Sequence, residues 1–147
     1  MSIVAGIVGT GTNFAFFLNK NTAVNLESGN SNHFPQSKTK KIIDRSSTNP
    51  EEQLFEKEVA GAYLFRHYQV NQSKKANHFP QSTLDLNHLA CQGDRLAQKF
   101  FERSSALIAS QIAGIYLFKK YYLKTISTDS AQLKPPLTFV MEGSVFW

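Results

Sequence analysis

Cysteine is nearly missing from this chain. Cys91 is the single one in 147 residues, so no internal disulfide can form, and a reducing, cytoplasmic setting is expected. Long hydrophobic runs are missing too. The most apolar stretch, residues 106–118, is interrupted by Ser110 and Gln111 and is too short to span a bilayer, so no membrane segment is expected. Residues 1–11 hold no basic residue, and no secretory signal is expected there. Metal-ligand spacing is absent as well. His33 and His78 have no second His, Cys or Asp at ligand spacing, whereas a zinc site needs three or four ligands, so no protein-held metal is expected. The net charge is +5, and much of the excess sits in Lys38–Lys41, Lys74-Lys75 and Lys119-Lys120. No aromatic stacking platforms interleave with these runs. They read as solvated basic loops, and no nucleic-acid partner is expected, although composition alone would also fit a basic nucleic-acid-associated protein. Finally, there is no repeat architecture. NHFPQS occurs at residues 32–37 and 77–82, but SGNS before the first copy faces SKKA before the second, and KTKK after it faces TLDL. With a proline and polar residues, both copies suit turns and helix entries, and are expected to connect elements rather than bind ligands.

What is present is ordinary material for one domain: 41% hydrophobic residues, including twelve Phe. Residues 2–8 (SIVAGIV), 13–19 (NFAFFLN) and 22–26 read as three strands of a small antiparallel meander. Residues 29–41 read as a polar loop. Asn49-Pro50-Glu51-Glu52 carries the marks of a helix start, with Asn as cap, Pro at the first helical position and acids in the first turn. The apolar spacing then predicts a helix to about Tyr68. A cap at Ser82 or Thr83 opens a short helix to Cys91. Gly93-Asp94 caps the longest helix, residues 95–124, whose middle is apolar on nearly all sides and is expected to be buried on several faces. After a turn-rich linker at 132–136, residues 137–141 (LTFVM) read as a strand that pairs into the opening sheet.

Two glycine turns and a few polar side chains stand out. VGTGTN (residues 8–13) joins two strands; Gly9 and Gly11 let backbone amides approach a ligand, and Thr10 and Thr12 add hydroxyls. Such a loop can cradle a phosphate. It is no P-loop, because no Lys follows the second glycine in the right place, and a plain glycine hairpin turn fits the spacing equally. NLESGN (25–30) puts a Glu at a strand end beside a glycine, and FEKEVAGAYL (55–64) puts another on a helix beside an apolar face. Either Glu alone reads as a solvated surface acid. Two carboxylates and an Asn amide around a glycine loop suit a polyhydroxylated ligand, because carboxylates accept strong, charge-assisted bonds from hydroxyls.

In order, VGTGTN, NLESG, DRSSTNPEEQLFEK followed by GAYL, ERSSALIASQIAGI and FVMEGSVF resemble the C-terminal half of the hexokinases, over residues 3–28, 44–64, 94–116 and 137–146. The NHFPQS segments lie outside the match. The resemblance implies an α/β, ribonuclease H-like and actin-like fold, with residues 1–147 forming one partial domain from the large lobe and the N-terminal small lobe and C-terminal tail lying outside it. It implies phosphoryl transfer from MgATP to the 6-hydroxyl of glucose or a related hexose. By matching position, Asn13, Glu27 and Glu56 would bind sugar hydroxyls, with Gln53 nearby. Gly9, Thr10, Gly11 and Thr12 would meet the nucleotide phosphates, Gly143 and Ser144 would form the adenosine turn, and Ser104 to Gln111 would run near the nucleotide pocket. ATP with its Mg2+ is the implied cofactor, and hexose and ATP the implied partners. Departures exist: Ser28-Gly29 replaces a common aromatic-glycine or aromatic-alanine pair, pointing to a bacterial or protist-like branch; Phe65 replaces a common Gly, and Glu142 a usual Asp. Asp44, Asp85, Asp94 and Asp129 match no part of the family's catalytic loop. The catalytic Asp is therefore expected in the other lobe, the chain is expected to be inactive alone, and its exposed lobe surface is expected to form a homodimer. The rival reading is a non-catalytic sugar- or nucleotide-binding protein derived from that lobe.

Overall fold

The computed structural model describes residues 2–19, 21–72, 79–122 and 137–145. Strands β1 (Ser2–Val8), β2 (Thr12–Asn19), β3 (Thr22–Asn25) and β4 (Leu137–Glu142) form one sheet in the order β3-β2-β1-β4. The first three make the antiparallel meander expected from the sequence. β4 pairs with β1 as well, in parallel, from Ser2 opposite Leu137 to Ile7 opposite Glu142. Strand alternation sends Val4, Val8, Phe14 and Phe16 to one face, where they are buried against Phe55, Val59, Ile108 and Ile115. A second cluster, Leu64, Tyr68, Leu86 and Ala97, lies between helices.

Among the described residues the α-helices are α1 (Lys38–Arg45), α2 (Glu56–Val59), α3 (Gly61–Asn71), α4 (Thr83–Cys91) and α5 (Arg95–Leu117), the last running on into a π-helical turn (Phe118–Tyr122). α2 and α5 bring Val59, Ile108 and Ile115 to that inner face, and α1, α3 and α4 pack on other helices. The caps of the last two are those the sequence marks. Ser82 accepts from the Asp85 N–H, and Asp94 from the N–H groups of Leu96 and Ala97. Such a cap satisfies amides that the first turn otherwise leaves unpaired.

Four readings change. The segment expected to be loop through Lys41 contains the start of α1, capped by Ser37, whose hydroxyl accepts from the Lys40 N–H. A 3₁₀ turn, Ser28–Asn30, precedes it. The helix expected from Pro50 does not begin there. Glu51 and Gln53 have φ of 68° and 48°, which no α-helix allows. Tertiary bonds hold this turn instead: the Glu51 N–H donates to Asp44 (3.1 Å) and the Gln53 N–H to Asn30 (3.1 Å). The single helix expected to Tyr68 is broken at Ala60, which is extended (ψ 154°). The break frees two amides at the start of α3 for the glycine loop, with Gly61 N–H donating to Gly9 O (2.7 Å) and Ala62 N–H to Thr10 O (3.1 Å). Lastly, α5 buries Ser104, Ile108 and Ile115 on one face, while Ala106, Ala109 and Ala113 are exposed and Tyr116 and Leu117 are 41% and 51% exposed. Alanines and aliphatics all round a helix do not require neighbours all round it. Its predicted end at Lys124 lies outside the described residues.

NHFPQS does enter helices. Ser37 ends the first copy and caps α1; Ser82 ends the second and caps α4. Phe34 of the first copy packs edge-on against Phe55 (centroids 5.2 Å apart), and the Pro35 carbonyl accepts from Arg103. In the second, the Pro80 carbonyl accepts from Gln69 (2.7 Å). His33 is exposed; Asn77 and His78 lie outside the described residues.

Candidate functional site

The strand ends beside the glycine loop carry the polar side chains that the sequence singles out. Asn13 leaves β2 with its Oδ1 accepting from the N–H groups of Phe14 (2.8 Å) and Ser28 (3.0 Å). Both neighbours are donors, which fixes the amide's orientation and directs Nδ2 to Asn25 Oδ1 (2.6 Å). Asn25 Nδ2 in turn donates to Glu27 Oε1. Asn13, Asn25 and Glu27 are thus one chain of hydrogen bonds, exposed on its outer side. Glu27 has φ 46° and ψ 44°. For a residue with a side chain this left-handed backbone costs about 1–2 kcal/mol, a strain that concentrates at functional sites. Asn25 had no role in the reading from sequence. The available signal was their spacing, an amide and a carboxylate two residues apart where β3 ends, close enough to bond to each other.

Glu56 reaches the same strand ends from the other direction. As the first residue of α2 it extends its carboxylate across two glycines. A Cβ on Gly11 would lie 2.6 Å from Glu56 Oε2, and one on Gly29 would lie 3.3 Å from Glu56 Cβ. The Thr12 N–H donates to Glu56 Oε2 (3.1 Å), and the Phe55 N–H to Gly29 O (3.0 Å). Both glycines are needed for close approach rather than for flexibility. Gln53 sits beside them: Asn30 Oδ1 accepts its N–H, and its own Oε1 accepts from Asn49 Nδ2 (3.2 Å). Asn13, Glu27, Gln53 and Glu56 are therefore assembled around residues 11–13 and 27–30.

The remaining candidates gather one turn away. The 9–12 loop is closed by Gly9 N–H to Gly11 O (2.9 Å) and docked on α3 through the Gly9 and Thr10 carbonyls. It is a tight turn, with Gly9 and Thr12 amides already engaged, so a ligand would meet the exposed Thr10 side chain. Gly143 packs on it: a Cβ on Gly9 would come within 3.3 Å of Gly143 Cα, and Gly143 has φ 123°, where a Cβ would also strike the Val8 carbonyl. Val145 N–H donates to Val8 O (3.1 Å). A cavity of about 460 Å³ opens here, lined by Thr10 and Ser144 together with Gly61, Ala62, Thr83, Leu84, Asn87, Phe101 and Val145. Thr83 and Asn87 were not foreseen. They arrive on α4, which no motif ties to the glycine loop. α5 contributes Phe101 to the cavity, whereas Ser104 Oγ donates to the Val59 carbonyl (2.8 Å) and Gln111 Nε2 to the Ser28 carbonyl (3.4 Å), both on the Glu56 side. Among the described residues, Thr12 Oγ1 and Gln111 Oε1 are buried without a hydrogen-bond partner.

The aspartates are committed elsewhere. Burial pushes the Asp44 carboxyl up, but hydrogen bonds from Lys57 and the Glu51 N–H outweigh it and hold it below the ordinary carboxylate value. Asp94 behaves alike: burial raises it, and the bonds from Ala97, Tyr68 and Leu96 carry it lower. Asp85 is held low by Ser82 and the Gln81 N–H. Asp129 lies outside the described residues. Among the described residues no three His, Cys, Asp or Glu cluster as metal ligands, and no helix is long and apolar enough to cross a membrane.

Known proteins share part of this sequence and its fold. The hexokinase family model matches residues 3–83. Hexokinase-2 of Oryza sativa subsp. japonica is 36% identical over 78 residues, which cover 42% of this chain and 16% of that protein. A crystal structure of hexokinase superposes over 97% of this chain and 40% of its own, with a TM-score of 0.71 and 22% identity. A hexokinase from Schistosoma mansoni complexed with glucose does so over 97% and 43%, with a TM-score of 0.61 and 17% identity. The chain thus spans less than half the length of the proteins it matches, and at these identities the structural likeness shows the fold, that of the actin-like ATPases. The family match runs from β1 through the glycine loop and Glu56 to the start of α4, and the chain belongs to the hexokinase family.

Proposed function

We propose that these residues supply the large-lobe half of a hexose kinase site, for phosphoryl transfer from MgATP to the 6-hydroxyl of glucose or a related hexose in a cytoplasmic setting. The observation that carries this reading is the meeting of the Asn13–Asn25–Glu27 chain with the Glu56 carboxylate across Gly11 and Gly29. Carboxylates and amides so placed accept from and donate to vicinal hydroxyls. Gln53 stands at the rim. The nucleotide phosphates belong on the 9–12 turn at the exposed Thr10 side chain, and the adenosine at Gly143 and Ser144, where the 460 Å³ cavity is of ligand size. Mg2+ arrives on the phosphates, as is usual for an ion that keeps several waters and binds few carboxylates.

The acceptor hydroxyl also needs a carboxylate to take its proton. Asp44, Asp85 and Asp94 are engaged by Lys57, Gln81 and the cap of α5. That supports a second reading, binding of sugar or nucleotide without turnover, for residues 1–147 taken by themselves as one partial domain. A coupled assay on the purified chain separates the two. Background rates with measurable glucose binding are expected; sugar-dependent ADP release abolished by Glu56→Ala would mean that the chain carries its own base. Self-association belongs to the same proposal, because Ile7, Phe17 and Val140 are 53%, 51% and 55% exposed. Sedimentation should show mass rising with concentration, and a monomer at all concentrations would remove that element.

A further inference from the structure

Glu56 is followed by two charged residues that are more buried than it is. Lys57 is fully enclosed, at 0% exposure, and Glu58 is 3% exposed. α2 has only the four residues Glu56–Val59, too few to hold a conformation by its own hydrogen bonds. Its charged side chains leave in three directions. Glu56 runs to the glycine turns. Glu58 turns to α5, where Arg103 Nε donates to its Oε1 (2.7 Å), and to the cap of α1, where the Ser37 N–H donates to its Oε2 (3.0 Å). Lys57 turns to α1 and the chain after it.

The Lys57 ammonium has three protons to donate, and each has an acceptor: Asp44 Oδ1 at 2.7 Å, Ser47 Oγ at 2.9 Å and the Asn49 carbonyl at 2.6 Å. Asp44 Oδ1 also accepts the Glu51 N–H, so the pair fixes both ends of the turn that replaces the expected helix. The Lys57 carbonyl is held from behind by His67 Nε2 (2.8 Å). A buried ion pair adds little net stability over an apolar pair of equal volume. Val59 and Phe55 already anchor this segment in the core. What the pair adds is direction: it fixes the rotation of α2, and with it the residue one position earlier.

We infer that the buried Asp44–Lys57 pair is a positioning device for the Glu56 carboxylate, acting on sugar affinity through Glu56 without touching the ligand. The inference rests on the reading of Glu56 as a sugar-binding residue. A one-residue twist of α2 would carry the carboxylate off Gly11 and Gly29, where the Thr12 N–H now fixes Oε2. Lys57→Met keeps the length of the side chain and removes its charge and donors. Asp44→Asn is milder, since it removes the charge and leaves an oxygen facing the ammonium.

The test is a double-mutant cycle on glucose affinity, measured by NMR titration of the 147-residue chain with Lys57→Met, Glu56→Gln and the pair combined, folding being checked by circular dichroism. Each single substitution should weaken glucose binding by roughly fivefold or more. In the Glu56→Gln background, Lys57→Met should add less than about twofold, because residues acting as one unit are not additive. Independent effects that multiply in the double variant would overturn the inference while leaving the sugar reading intact. Glu56→Gln with unchanged affinity would remove the sugar reading, and this inference with it. If Lys57→Met does not fold, Asp44→Asn runs the same cycle with the same criteria. A variant of the pair that melts earlier yet binds glucose as the parent does would reduce the pair to scaffold.

Discussion

His67 shows how tightly the material behind the site is set. The ring is 1% exposed. Its Nε2 faces the Lys57 carbonyl, which can only accept, so Nε2 carries the proton and Nδ1 accepts from the Thr39 hydroxyl (2.7 Å). Burial lowers its pKa from 6.5, against the raising effects of the Lys57 carbonyl and Glu58. The unfolded chain therefore binds more protons in the window below 6.5, and stability falls as the pH drops through it, levelling once the folded ring is protonated too. Urea unfolding between about pH 8 and pH 5 should show this slope, and His67→Gln should flatten it; an equal slope in the variant would place the proton elsewhere. Gly11 offers a complementary probe. Gly11→Ala puts a methyl group 2.6 Å from Glu56 Oε2, so the carboxylate must move, and sugar affinity should drop with the fold retained. The nearness of Asn13, Glu27, Gln53 and Glu56 to one another was legible because the motif order groups them. Asn25 is harder to read, since the motif assigns a role to its Glu and none to the Asn two positions before it.

Elements were legible where local chemistry decides them. Capping by Ser82 and Asp94 and the alternation of the strands are written in short windows, and they hold. Asn49-Pro50-Glu51-Glu52 has the same local grammar and fails, because Asp44, Asn30 and Lys57 take up its backbone groups from a distance. The start of α1 was hidden by its lysines, one of which, Lys40, is buried with its ammonium on Gln36 (3.0 Å). The two NHFPQS copies end on capping serines, so Ser37→Ala and Ser82→Ala should each cost about 1 kcal/mol of unfolding free energy. Melting curves should show similar losses for both. Ser37→Ala should leave the bond to Glu58 in place, because its donor is the Ser37 backbone N–H, which alanine keeps. A loss near zero for either variant would remove the capping role of that copy.

At the scale of the molecule, a single sheet is covered by helices on its inner face, and two groups of candidate residues meet where the 9–12 turn, the 27–30 turn and the start of α2 converge. The order of motifs along the chain anticipated that meeting, because a family likeness encodes contacts that spacing cannot. The exposed side of α5 was not anticipated, since an apolar sequence does not say which of its faces finds a partner. The claim that joins these scales is that glucose sits on Asn13, Glu27 and Glu56. Titrating the isotope-labelled chain with glucose by NMR tests it directly. The account predicts amide shifts concentrated at residues 11–13, 25–30 and 53–57, and Glu56→Ala should weaken binding by about 1–3 kcal/mol, the scale of a charged hydrogen bond. Shifts confined to other surfaces, or an affinity that Glu56→Ala leaves unchanged, would contradict it.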